Sequence, residues 1–268
     1  MAHIRTIAIY LLLTIAALIS VFPFYWMIVS ATNTSADIIR GKADFGDQLW
    51  INITSFFTQV DAKRIFFNSA FIAILGTVLT LIISSLAGYG FEMFRSRIRE
   101  RIFSALLLML SVPFAAIMVP LFVVMAKLGL INTYAALLLP TISSIFIIFY
   151  FRQTTKAFPT ELRDAARIDG LKEWQIFLFI YIPVMRSTYA AATIIVFMAN
   201  WNAYLWPLIV LQTNEMKTMT LVISSLASAY YPDFGVVMVG TVLATLPTLL
   251  VFFFLQRRFV EGLLGSVK

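Results

Sequence analysis

Two groups of residues carry polar chemistry in an otherwise apolar chain. Between Pro159 and Pro183 stand Glu161, Arg163, Asp164, Arg167, Asp169, Lys172 and Glu173, a density of charge that lipid does not accept. Thr160 is read as the N-cap of a short helix with Pro159 before it, Glu161 lies in its first turn, and Gly170 supplies the left-handed position that ends it. A second short helix is expected from Leu171 to about Tyr181. Ala165 and Ala166 leave a surface with almost no side chain, so another backbone can come close. Leu162, Ala165 and Ile168 fall three apart and form the face expected to be gripped, with Asp164 and Glu161 at its polar rim. The second group is Asn200, Trp201 and Asn202. Its amides and its aromatic face suit the hydroxyls and C–H side of a polyhydroxylated ring. The same amides serve equally well to bond neighbouring helices, at about 0.6 kcal/mol per pair.

The elements that must position these groups are membrane spans. The chain has 268 residues, 61% hydrophobic and 12% charged, whereas soluble domains carry roughly 25% charged residues. Apolar segments run over 7–29, 65–91, 102–126, 134–151, 187–211 and 234–255, each long enough for a hydrocarbon layer of about 30 Å. The first exceeds a signal-peptide core and is closed by no small-residue cleavage site, so it is expected to be retained. Six spans put both termini on one side. With that side inside, fourteen of the twenty Lys and Arg face the cytoplasm, including Arg95 to Arg101 and Arg152 to Arg186, as the positive-inside rule requires. The segment 152–183 is then a cytoplasmic loop. The chain reads as an all-α integral membrane protein, one transmembrane domain over 1–268.

The same inventory narrows the function classes. No Asp, Glu, Lys, Arg or His lies within the six segments, whereas ion-coupled carriers keep ionisable groups there to relay charge. No GxxxxGK[ST] loop is present to cradle phosphate. Cysteine is absent and the single histidine is His3, so no thiolate or catalytic histidine is expected, no metal site, and no cofactor in this chain. The net charge of +7 is spread over short loops, with no basic helix face to follow nucleic acid. Gly88 and Gly90 suit close helix packing. An energy source must come from outside the lipid.

The run Glu161-Leu162, Asp164-Ala165-Ala166, Ile168-Asp169-Gly170, then Ile180 and Ile182-Pro183 resembles the EAA loop of ABC-importer permeases. Asp164 stands for the usual Glu, Leu171 for a small residue and Ile182 for Leu. Asn68-Ser69, Ala87-Gly88-Tyr89, Pro113, Pro120-Leu121, the run Leu128 to Tyr134 and Trp201-Asn202 with Leu205 to Leu208 are similar to the sugar-type, maltose-importer (MalG-like) branch; the tail Gln256 to Lys268 also resembles the family. The resemblance implies a type I permease fold of six transmembrane helices with a cytoplasmic coupling helix, in the inner membrane of a bacterium or archaeon. It implies a sugar or oligosaccharide as substrate and no catalysis by this chain. It also implies as partners a second permease subunit, a cytoplasmic ATPase dimer that binds ATP and Mg, and an extracytoplasmic sugar-binding protein. The residues assigned to ATPase coupling are Glu161, Leu162, Asp164, Ala165, Ala166, Ile168, Asp169 and Gly170, and those assigned to the substrate path are Asn200, Trp201 and Asn202. The rivals are a permease for a non-sugar ABC substrate and a stand-alone carrier or channel.

Overall fold

The computed structural model of the chain describes residues 2 to 265, with side chains from 5 to 257. The side chain of His3, and the end of the tail at 266–268, lie outside the described residues. Among the described residues every regular element is helical: α1 (Ala2–Ala31), α2 (Ser35–Ile39), α3 (Leu49–Gln59), α4 (Ala62–Met93), α5 (Arg97–Met109), α6 (Phe114–Lys127), α7 (Tyr134–Leu138), α8 (Ile145–Thr155), α9 (Thr160–Ile168), α10 (Glu173–Ile176), α11 (Arg186–Trp201), α12 (Leu205–Val210), α13 (Met219–Ala227) and α14 (Phe234–Gly265). Beyond α10 the chain winds through a π-helical turn, Phe177–Tyr181, and a last turn, Ile182–Val184.

Among the described residues four segments are long and apolar enough to cross a membrane, Arg5–Ala31, Ala62–Met93, Arg186–Val210 and Phe234–Arg257, and α5 with α6 makes a fifth if counted as one. The span expected over 102–126 is broken, because the chain bends by 102° between α5 and α6. Pro113 causes the break: it has no N–H to continue α5, disfavours helix at Val112, and instead opens α6 at φ −60°, ψ 137°. The helix expected over 134–151 is likewise divided. Pro140 follows the single turn of α7, and α8 restarts only after Ser144, whose hydroxyl accepts from the Ile147 N–H at 3.4 Å.

The chain folds as two compact units. One comprises Met1–Ile65 and Met219–Pro247. Its core gathers Phe56, Met219, Val236 and Val239 with Ala31, Ala62, Val222 and Ile65. At its polar end the Asn52 amide donates to the carbonyls of Ala31 (2.9 Å) and Asn33 (3.0 Å), and Asn33 donates to Val29 (2.9 Å) and Asp44 (2.8 Å). Gly235 lets Asn52 in, since a Cβ there would stand 2.5 Å from its amide nitrogen.

The other unit comprises Phe66–Thr218 and Thr248–Lys268. Here the short motifs of the sequence meet. Asn132 adopts the left-handed φ of 62°; its N–H donates to Val210 at 2.8 Å, and its side-chain oxygen accepts from the Gln212 and Thr213 N–H groups at 3.0 and 3.2 Å. The Tyr134 hydroxyl donates to Asn68 at 2.7 Å, Asn68 donates to the carbonyls of Glu215 and Lys217, and the Trp206 indole donates to Ala136 at 2.8 Å. Of the glycine pair only Gly88 is needed for close approach: a Cβ there would stand 2.6 Å from the Phe151 Cβ, whereas Gly90 faces open space.

Where α4 and α8 touch, Arg152 is buried. Its guanidinium reaches Glu92 at 3.4 Å and Glu100 at 2.5 Å and lies 4.0 Å from the Phe103 ring centroid. Glu92 also takes Arg95, on the exposed side. Removing one partner of a buried ion pair typically costs about 3 kcal/mol or more. Arg152→Met is therefore expected to lower the thermal unfolding midpoint in detergent by several degrees, and Arg152→Met with Glu92→Gln to recover part of the loss, because in the single variant the buried Glu92 carboxylate keeps only the exposed Arg95 as partner.

Candidate functional site

The segment 152–183 is built around a turn that changes the chain's direction twice. α9 ends with the Leu171 N–H bonded to Ala166 C=O at 3.0 Å and the Gly170 N–H to Arg167 C=O at 3.1 Å, a Schellman closure. Gly170 has φ +82°, with nothing within 4 Å of a Cβ built on it, so glycine is required there by backbone conformation alone. The helix starts one residue earlier than expected: Pro159 is the cap and Thr160 the first helical residue, with no side-chain cap bond. The next helix starts two residues later than expected, after Lys172, whose N–H donates to the Gln175 side chain at 2.8 Å.

Across this turn one carboxylate collects several donors. Glu173 accepts from Arg163 at 3.2 Å, from Arg167 Nε at 2.6 Å and from the Tyr89 hydroxyl at 3.3 Å. Arg163 is buried and lies 4.8 Å from the Phe94 ring centroid. Burial pushes the Glu173 carboxyl up, but the hydrogen bonds and charges of Arg167 and Arg163 outweigh it, leaving the group below the usual carboxylate range. α9 is thereby clamped to α10 and, through Tyr89, to α4. Beneath the clamp Tyr89, Phe158, Phe177, Tyr181 and Met185 pack together, and the Tyr181 hydroxyl lies 2.6 Å from that of Thr155.

The clamp fixes which side of α9 is free. Glu161, Leu162, Asp164, Ala165, Ile168, Asp169 and Gly170 are exposed, with Leu162 at 42% and Ile168 at 88%. Ala166 is turned inward beside Arg163, at 4% exposure; of the alanine pair expected on the gripped face, only Ala165 is there. Opposite charges on either side of a glycine turn are the available sign of the clamp in the residues, which carry no measure of which arginine is buried.

The second group does not stay together. Trp201 is 2% exposed and packs between Phe66 and Phe197, ring centroids 5.7 and 5.8 Å away; a ring so covered has no face to offer a solute, which corrects its expected stacking role. Asn200 is half-buried against Gly76, where a Cβ would come within 2.8 Å of its amide nitrogen, and that nitrogen has no hydrogen-bond partner among the described residues. Asn202 caps the end of α11 and is exposed.

Residues 81–264 match the family model described as the binding-protein-dependent transport system inner membrane component. The chain belongs to that family. This permease is 67% identical over 259 residues to the lactose transport system permease protein LacG of Rhizobium radiobacter, across 97% of this chain and 95% of that one. It is 34% identical to the arabinooligosaccharides transport system permease protein AraQ of Bacillus subtilis, across 98% and 95%. It is also 34% identical to the sn-glycerol-3-phosphate transport system permease protein UgpE of Agrobacterium fabrum, across 98% and 97%. Its fold is similar to that of a chain from a bacterial ABC transporter involved in the import of the acidic polysaccharide alginate, with TM-score 0.82 at 22% identity over 96% of this chain and 97% of that one.

The clamp has a pH dependence with a definite sign. Glu173 titrates below its unfolded value of about 4.3, so its contribution is complete above that pH and is lost as pH falls through the folded value. Protection of the Arg163 to Ile168 amides against exchange, relative to the intrinsic rate at each pH, is expected to persist from neutral pH down to about 4 and to fall below. Glu173→Gln should lose that protection at neutral pH; protection retained in that variant would mean that something other than the carboxylate holds α9.

Proposed function

We propose that this permease is one of two membrane subunits of an ATP-driven importer for lactose or a closely related oligosaccharide. The single observation that carries the coupling role is the exposed apolar face of α9, Leu162, Ala165 and Ile168, held by the Glu173 clamp. In this reading the chain is one permease domain over 1–268, crossing the inner membrane six times with both termini cytoplasmic. The broken pairs α5–α6 and α7–α8 each count as one crossing. Broken helices are tolerated at membrane depth where protein or a polar cavity satisfies the freed backbone, and Thr80 donating to Thr141 C=O at 3.3 Å is one such partner. The likeness to LacG supports lactose as the substrate.

The segment 152–183 is the cytoplasmic coupling loop and α9 the coupling helix. A cleft on the partner ATPase receives Leu162, Ala165 and Ile168, with Glu161, Asp164 and Asp169 at the rim, Ala166 anchoring the inner side and Gly170 setting the exit angle. The chain performs no chemistry and holds no resident cofactor or metal. ATP and Mg are bound by the ATPase dimer, whose closure carries α9 with it, and the clamp passes that displacement to α4 and the spans. An extracytoplasmic binding protein delivers the sugar, and a second permease subunit completes the path. Asn202 and the unpaired amide of Asn200 are the residues of the 200–202 group that meet the sugar's hydroxyls, with Trp201 packed behind them.

Ala165→Glu places a charge in the centre of the gripped face, and Gly170→Val forces a branched side chain into the left-handed region, at roughly 1 kcal/mol or more. Neither touches a span. Both are expected to leave membrane insertion normal and to abolish labelled-lactose uptake, with the ATPase either lost from pull-downs or hydrolysing ATP without transport. Normal uptake with the ATPase retained would overturn the coupling role. Uptake of another sugar in place of lactose by the wild type would overturn the substrate assignment alone.

A further inference from the structure

Four arginines occupy alternate positions where α4 passes into α5: Arg95, Arg97, Arg99 and Arg101. Two have partners within the chain. Arg95 pairs with Glu92, and Arg99 donates to the Phe94 carbonyl with its guanidinium 5.7 Å from the Phe94 ring centroid. Arg97 and Arg101, one helical turn apart, are exposed and make no ion pair among the described residues. The acid of that first turn, Glu100, is already held by Arg152 at 2.5 Å. Cations at this end also oppose the helix dipole, whose positive end lies at the N-terminus. The patch therefore carries uncompensated positive charge at a cost to the helix that bears it.

Each of these two arginines is followed by an exposed isoleucine, Ile98 at 70% and Ile102 at 49%. Water alone gains nothing from isoleucines displayed beside unpaired guanidiniums, and an acidic protein surface would satisfy the charge but not the apolar pair. The boundary between lipid headgroups and acyl chains satisfies both: long basic side chains reach up to phosphate while neighbouring apolar groups enter the hydrocarbon. α5 then continues toward Leu108 and Met109, which are 74% and 61% exposed.

We propose that the first two turns of α5 form a binding site for anionic phospholipid of the cytoplasmic leaflet. Arg97 and Arg101 hold phosphodiester oxygens, and Ile98 and Ile102 enter the acyl layer. The site rests on the membrane orientation given under the proposed function, and its occupant is distinguished from a free phosphate by the acyl contact.

The test uses the whole transporter, copurified with its ATPase and exchanged into nanodiscs of phosphatidylcholine with increasing phosphatidylglycerol. Retained phosphatidylglycerol is measured by native mass spectrometry, with lactose uptake and ATPase retention measured separately. Arg97→Gln with Arg101→Gln is expected to weaken phosphatidylglycerol binding roughly thirtyfold, the factor two cations supply at an anionic surface. Lys63→Gln with Lys127→Gln, which removes the same charge at positions assigned to the other side, should leave it unchanged, and excess inorganic phosphate should not displace the lipid. Equal lipid retention in the two double variants overturns the site, and does so without touching the permease assignment if uptake persists. Displacement by inorganic phosphate would make it a small-anion site, and loss of the ATPase with lipid retention unchanged would make it a protein interface; either contradicts the proposal.

Discussion

A carboxylate that collects two guanidiniums and a phenol across a glycine turn is the interaction on which the segment 152–183 of this permease depends. A nine-residue helix is too short to be stable by itself in water, and α9 buries little of its surface. What holds it is Glu173, reached from α9 by Arg163 and Arg167 and from α4 by Tyr89. An exposed ion pair would contribute at most about 1 kcal/mol; here Arg163 is buried against Phe94 and shares its acceptor, so the pairs act as a network. The consequence is mechanical. A force applied to the free face of α9 reaches α4 through fixed hydrogen bonds instead of bending a loop.

The same logic of freed backbone and available partners explains where the apolar helices break. Pro113 and Pro140 each end a helix, and in both cases a new one starts within a few residues. Close to these breaks lie the chain's polar knots: Asn132 receiving two backbone N–H groups, Asn68 joining Tyr134 to the Glu215–Lys217 strip, and Trp206 bonded to Ala136. These amides and rings are placed where irregular backbone would otherwise be left unpaired.

Much of this was legible in the residues, for reasons that can be stated one at a time. Gly170 announced a left-handed turn because a helix pattern ended there and no side chain followed, and the backbone has φ +82°. Leu162, Ala165 and Ile168 were readable as a free face from their spacing. Ala166 was not, because its direction is decided by Arg163 one turn earlier, and a buried arginine runs against the usual preference of that side chain for water. The Asn-Trp-Asn group suggested a shared surface, yet three consecutive positions on a helix point about 100° apart, and the tryptophan takes the inward one. The segments 102–126 and 134–151 are each legible as one apolar run; that Pro113 and Pro140 divide them depends on capping and packing partners far away in sequence. The resemblance of the segment 159–183 to a known family carries the functional reading further than its charges alone do.

The most direct measurement of the central claim uses the absence of cysteine from this chain. A single cysteine at Ile168, the most exposed apolar position of α9 at 88%, is to be treated with a short thiol cross-linker in membranes that contain the whole transporter. The account predicts a covalent adduct between this permease and its copurifying ATPase, and loss of that adduct when Glu173→Gln is added. An ATPase that copurifies fully but never cross-links at Ile168, under conditions where the cysteine is modified by soluble reagent, would contradict it.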